Sequence, residues 1–74
     1  MNTLLIHNPR EIGQLVQRVR KTQGLTQTEL AATSGVGVRF IVDLEKGKQT
    51  CQLGKTLEVL HMLGIHFQPI GKDV

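Results

Sequence analysis

The sequence predicts an all-α domain of four to five short helices with a marginal strand near its C-terminal end. Three observations predict it. Glycines at 24, 35, 47 and 64 fall at the ends of successive segments, where a left-handed residue stops a helix. Two segments open on capping signals, Asn8 with Glu11 and Thr26 with Glu29. Between these marks the apolar residues recur at helical spacing, and no run of alternating residues is long enough to build a sheet.

The first helix is expected over 9–23. Asn8 supplies the N-cap, and Pro9 takes the first helical position, where its missing N–H costs little. Glu11 completes a capping box. Ile12, Leu15, Val16 and Val19 follow the i, i+3, i+4, i+7 pattern of one buried face. Arg20 lies one turn beyond Val16, at the edge of that face. A guanidinium there needs a partner, because an unpaired buried charge is costly. Glu45 is the natural candidate, and a phosphate contact is the other reading of Arg20.

The stretch from Leu25 to Lys48 carries the most information. Thr26 and Glu29 cap a helix over 27–34, with Leu25 as its hydrophobic staple and Leu30 and Ala31 turned inward. Gly35 ends it, and a third helix follows over 37–46 with Ile41 and Leu44 as its core pair. The outer face of that helix carries Arg39, Asp43 and Lys46, with Val42 among them. A helix, a tight glycine turn and a second helix with a polar outer face describe a helix-turn-helix, so the segment is expected to bind DNA.

A fourth helix is expected from Thr50 or Cys51 to Leu63. Leu53, Leu57, Leu60 and Leu63 form its main stripe, flanked by Val59 and Met62. Gly54 within it costs about 1 kcal/mol relative to alanine, and close approach of another helix would account for its presence. Residues 65–70 then read as a strand, because Ile65-His66-Phe67-Gln68 alternates apolar and polar. Pro69 confines it to an edge or an end. A lone strand needs a partner, either the Thr3–His7 run or the matching strand of a second chain. Residues 71–74 read as a frayed tail.

Composition bounds the alternatives. Seventy-four residues make a single domain, 1–74, near the size where one core is marginally sufficient. With no Trp or Tyr and only Phe40 and Phe67, that core is aliphatic. Nine basic against six acidic side chains give +3 and a pI near 9.5, a mild balance that suits a polyanion without requiring one. Cys51 stands alone, which excludes an intrachain disulfide and offers no thiolate pair to a metal. Leu4-Leu5-Ile6 is too short and uncharged to be a leader. No segment approaches the roughly 20 apolar residues of a membrane span. A soluble, cytoplasmic, nucleoid-associated protein is expected. His7, His61 and His66 are widely spaced, and no glycine-rich phosphate loop, serine elbow or carboxylate pair appears. No enzyme, cofactor, metal or small-molecule substrate is expected.

The letters Gln27-x-Glu29-Leu30-Ala31, Gly35-Val36, Ile41 and Leu44-Glu45-x-Gly47-Lys48 resemble the DNA-binding domain of the lambda-type phage repressors and the Xre-like regulators, without an insertion. Lys48-Gln49-Thr50, Gln52-Leu53-Gly54-Lys55-Thr56-Leu57 and Leu60-x-x-Leu63-Gly64-Ile65 look like the HipB-type antitoxin branch. A proline often follows the Gly-Lys pair in that branch, whereas this chain has Gln49, a departure confined to a loop. The resemblance spans residues 8–65. It implies a lambda-repressor-like fold, pairing of Arg20 with Glu45, a homodimer whose strands pair between protomers, and an inverted-repeat operator. It further implies a HipA-type kinase toxin as partner and repression of the chain's own operon. Two other roles fit the same letters: a toxin-docking protein with secondary DNA binding, and a stand-alone phage or plasmid repressor.

In such a fold the third helix enters the major groove with its N-terminal residues at base edges. Candidate base contacts are Val38, Arg39, Val42 and Asp43. Arg39 suits O6 and N7 of guanine, or a phosphate. Val38 suits a thymine methyl, or simply fills the turn. Asp43 either accepts from cytosine N4 or orients Arg39, four residues before it. Val42 is consistent with methyl contact or with ordinary exposure. Phe40 caps the core or wedges into DNA, with the core reading preferred. Candidate phosphate contacts are Thr26 and Gln27 at the open end of the second helix, and Lys46 and Lys48 around Gly47. Candidate dimer residues are Leu57, Ile65 and Phe67.

Overall fold

The computed structural model describes residues 5–68 and 71. Four helices follow in order: α1 (Pro9–Thr22), α2 (Gln27–Ser34), α3 (Val38–Glu45) and α4 (Leu53–Met62). α2 and α3 form the helix-turn-helix, and α1 and α4 pack against them. The core is aliphatic: Val16, Leu30, Ala31, Ile41, Leu44, Val59, Leu60 and Leu63 are buried, and Ile12, Val19, Leu25, Val36, Phe40, Cys51 and Ile65 pack around them.

The helix starts are local chemistry. Asn8 is extended, and its side-chain oxygen accepts the Glu11 N–H at 3.0 Å. Glu11 does not complete the expected reciprocal box at Asn8. Its carboxylate reaches one residue further back, accepting the His7 N–H at 2.6 Å with the His7 ring 3.3 Å away. Thr26 and Glu29 do form a full box: the Thr26 hydroxyl accepts the Glu29 N–H at 3.0 Å, and the Thr26 N–H donates to the Glu29 carboxylate at 2.8 Å. The same backbone N–H holds the Glu29 carboxyl below its ordinary range.

Close approach of helices does occur, but at a different glycine from the one expected. A Cβ on Gly54 would meet nothing within 4 Å, so among the described residues no neighbour accounts for it. A Cβ on Gly13, in the middle of α1, would run into the carbonyl oxygen of Leu44 and lie 2.8 Å from that of Glu45. α1 therefore rests directly on the backbone at the C-terminal end of α3.

The stripe of α4 also departs from expectation. The buried residues are Thr56, Val59, Leu60 and Leu63, whereas Leu53 is 71% exposed and Leu57 37%. Both sets have helical spacing and share Leu60 and Leu63; the choice between them turns on Thr56. Its hydroxyl donates to the Gln52 carbonyl at 2.9 Å, so the side chain enters the core with its polar group satisfied. Val59, expected on the flank, is fully buried. The helix starts at Leu53 because Gln52 is extended (φ −65°, ψ 127°) and serves as N-cap.

Residues 65–68 form no strand, and neither do Leu5, Ile6 and His7. A strand exists only through its ladder, and these segments find none among the described residues. Thr3, Leu4, Pro69 and Ile70, which the expected strands included, lie outside the described residues, as do 72–74 of the expected tail. Ile65 turns back onto the core, its N–H donating to the Leu60 carbonyl at 2.8 Å, while Phe67 is 52% exposed.

Candidate nucleic-acid interface

The geometry of α3 is set by the turn before it. Gly35 adopts φ 72°, and the Val36 N–H reaches back to the Ala31 carbonyl at 3.0 Å, closing α2. Gly37 then opens α3 with no side-chain cap. Ile41 and Leu44 face the core. At 100° per residue the opposite face carries Val38, Arg39, Val42, Asp43 and, just past the helix, Lys46. Val38 is 46% exposed and the Arg39 side chain 79%.

Beneath that face α3 is pinned by a buried ion pair. Arg20 Nε donates to Glu45 Oε2 at 2.6 Å, Nη2 to Oε1 at 3.1 Å, and Nη1 to the Leu25 carbonyl at 2.8 Å. The side chains are only 9% and 3% exposed. This places the Arg20 charge inside the domain. Gln27 joins the network, its amide donating to Glu45 Oε1 at 3.1 Å. One carboxylate thus links the α1–α2 corner, the start of α2 and the end of α3. Gln27 keeps its second N–H for an outside acceptor, and Thr26, whose oxygen is taken by the cap, keeps its O–H.

A second cluster lies on the outward face of α3 itself. Arg39 Nε is 3.3 Å from Asp43 Oδ1, and Lys48 Nζ is 3.5 Å from Asp43 Oδ2. The Lys48 N–H also donates to the Asp43 carbonyl at 3.1 Å, fixing the root of that lysine. Cys51 lies close enough to feel both charges: burial first, then Asp43, push its thiol pKa up, and Lys48 opposes them. Phe40 packs against the core, with Lys55 Nζ 5.9 Å from its ring centroid. Lys46 is exposed at the C-cap. Leu57 and Phe67 are exposed on the surface of the chain, and Ile65 is partly buried against its own core.

Sequence reasoning missed one participant, Gly13, and one partnership, that of Lys48 with Asp43. Gly13 sets the distance between α1 and α3, and its signal, a glycine in mid-helix, was visible. Lys48 bonds to Asp43 through a turn that no spacing rule anticipates. Among the described residues there is no group of three metal-ligating side chains, and no helix is long and apolar enough to cross a membrane.

A short helix held by its inner face and its end, with cations and small apolar groups outward, defines a helix-turn-helix DNA-binding domain. Residues 16–68 match the family model described as helix-turn-helix. The uncharacterized HTH-type transcriptional regulator y4mF of Sinorhizobium fredii (strain NBRC 101917 / NGR234) is 61% identical over 59 residues, covering 80% of this chain and 78% of that protein. The chain belongs to the helix-turn-helix family, in its Xre-like class of DNA-binding transcriptional regulators. In fold it is similar to HipB in the HipA-HipB-O2-O3 complex, with TM-score 0.85 and 23% identity over 95% of this chain and 99% of that one. HipB in its O4 20mer complex gives TM-score 0.84, again at 23% identity over 95% and 99% of the two chains. The restriction-modification controller protein C.AhdI of Aeromonas hydrophila gives 0.70 at 28% identity, over 78% of this chain and 88% of that one.

Proposed function

We propose that the protein is a dimeric, sequence-specific repressor of its own operon and the antitoxin of a HipA-type kinase. The observation that carries the DNA-reading half is the pinned α3: Glu45 fixes its end while Arg39 and Val38 face outward with half-buried Val42 beside them. Arg39 reads a guanine, and the two valines contact thymine methyls. Thr26, Gln27, Lys46 and Lys48 hold phosphates on either side. Support for the antitoxin half is the likeness in fold to HipB, solved in a complex with HipA and operator DNA. Leu53 and Leu57 project from α4 and Phe67 from beyond it; a second copy covers them, with residues 65–68 pairing between protomers.

The test is a footprint of the purified protein on its own upstream DNA, followed by co-purification with the product of the neighbouring reading frame. The reading expects an inverted repeat with half-site centres roughly 34–36 Å apart. It also expects a kinase-like neighbour that binds the protein. A chain that sediments as a monomer at micromolar concentration, on DNA and off it, refutes the dimer. A neighbour of unrelated fold refutes the antitoxin assignment and leaves the repressor.

A further inference from the structure

The carboxylate of Asp43 sits between two cations on a surface meant for a polyanion. Each oxygen has its own cation, Arg39 at Oδ1 and Lys48 at Oδ2. The Asp43 side chain is 18% exposed beneath partners at 79% and 54%, so the anion is screened and the cations are presented. The pairing with Arg39 uses Nε, and the terminal Nη groups donate no hydrogen bond among the described residues. They remain available to a base. The Lys48 N–H donates to the Asp43 carbonyl, which fixes the root of that side chain beside the carboxylate.

We propose that Asp43 is a specificity-determining residue acting through these neighbours: it holds Arg39 and Lys48 to the reading face and withholds their charge from the phosphates of non-cognate DNA. The inference rests on the DNA-reading role proposed above. Two cations and one anion leave the cluster at +1. Without the carboxylate, one further cation is free to displace counterions from DNA, whatever the sequence. At a cognate site the guanine contact comes from the free Nη edge, which the Asp43 pairing aligns and does not occupy.

The experiment compares the full-length wild type with Asp43→Asn, Asp43→Glu and Asp43→Asn/Lys48→Ala, on the footprinted operator and on a random duplex of equal length, from 50 to 200 mM KCl. For Asp43→Asn, the log–log salt slope on random DNA should steepen by about 0.9, and random binding should tighten several-fold. Operator affinity should change less, so the ratio of the two falls. Asp43→Glu should keep the wild-type ratio, and the double variant should return the slope to the wild-type value. Unchanged random binding with lost preference at a single C·G pair would make Asp43 a base reader and overturn the proposal. Equal weakening on both duplexes with a lowered Tm would make it merely structural and overturn it too. If the wild type prefers no operator, the repressor reading fails by itself; the random-duplex slopes still report whether Asp43 withholds charge.

Discussion

Removing Glu45 should be among the most damaging single changes in the molecule. Glu45→Ala deletes both carboxylate bonds to Arg20 and the bond from Gln27, leaving a guanidinium in a site where its side chain is 9% exposed, with the Leu25 carbonyl as its remaining partner. Breaking one side of a buried pair costs about 3–5 kcal/mol. A domain of this size holds only about 4–11 kcal/mol in total, taking roughly 0.05–0.15 kcal/mol per residue. The single variant should therefore lose between about a quarter and all of its stability. Arg20→Met should cost a similar amount, because it strands the carboxylate. Arg20→Met/Glu45→Leu removes both charges together and should recover most of the loss, since apolar replacement of a buried pair is often neutral or better. Urea unfolding followed by circular dichroism, at one fixed protein concentration because self-association would shift the midpoint, compares wild type, Arg20→Met, Glu45→Leu and the double variant, the four corners of the cycle. If Glu45→Ala costs under about 1 kcal/mol, or if the double variant is as unstable as the sum of the singles, the buried-charge account is wrong.

The two helical glycines should respond with opposite signs: Gly13→Ala meets the Leu44 and Glu45 carbonyls and should destabilise by about 1–3 kcal/mol or more, whereas Gly54→Ala, in the first turn of α4, meets nothing among the described residues and should gain at most about 1 kcal/mol in the same urea assay. Arg39→Ala should cost about 1–3 kcal/mol on the operator and relax one base pair. Gln27→Ala should weaken operator and random DNA alike, so equal losses from both variants would remove Arg39 from the base readers. Leu57→Glu places a charge on the exposed face of α4 and should leave the helical signal intact while abolishing the dimer in sedimentation; an unchanged dimer would move the interface elsewhere. Because the Thr26 N–H depresses the Glu29 pKa, this carboxylate stabilises the fold above its unfolded pKa, and the benefit is lost as pH falls through the lower folded value. Glu29→Gln should flatten the acid limb of a stability–pH curve, and a limb unchanged in slope would contradict it.

Local signals proved legible where one residue decides the outcome. Thr26 with Glu29, Gly35 and Gly47 carry their conformations in their own chemistry, so the limits of α2 and the turn into α3 could be read directly. What escaped depends on partners distant in sequence. Leucine spacing alone could not choose between the two stripes of α4, because the choice rests on a hydroxyl, that of Thr56, finding a carbonyl one turn back. Glu11 satisfied His7 in place of Asn8, a difference of one residue that capping rules do not resolve. Gly54 drew notice for the reason that applies to Gly13, since the cost of a helical glycine says nothing about which one faces a neighbouring backbone.

The division of α3 into two faces has an evolutionary consequence. Its inner residues, Ile41, Leu44 and Glu45, are committed to α1, α2 and the core, while Val38 and Arg39 face away from that core. Substitutions at these two outward positions therefore change what the helix meets without repacking what supports it. On the proposed reading of DNA by α3, a lineage carrying this scaffold can acquire a new DNA address by few substitutions, and two duplicated copies in one cell can drift apart in target without an intermediate that fails to fold. Asp43 is the exception, because its partner Lys48 lies in the following loop, so a new letter there must be accommodated in two places at once.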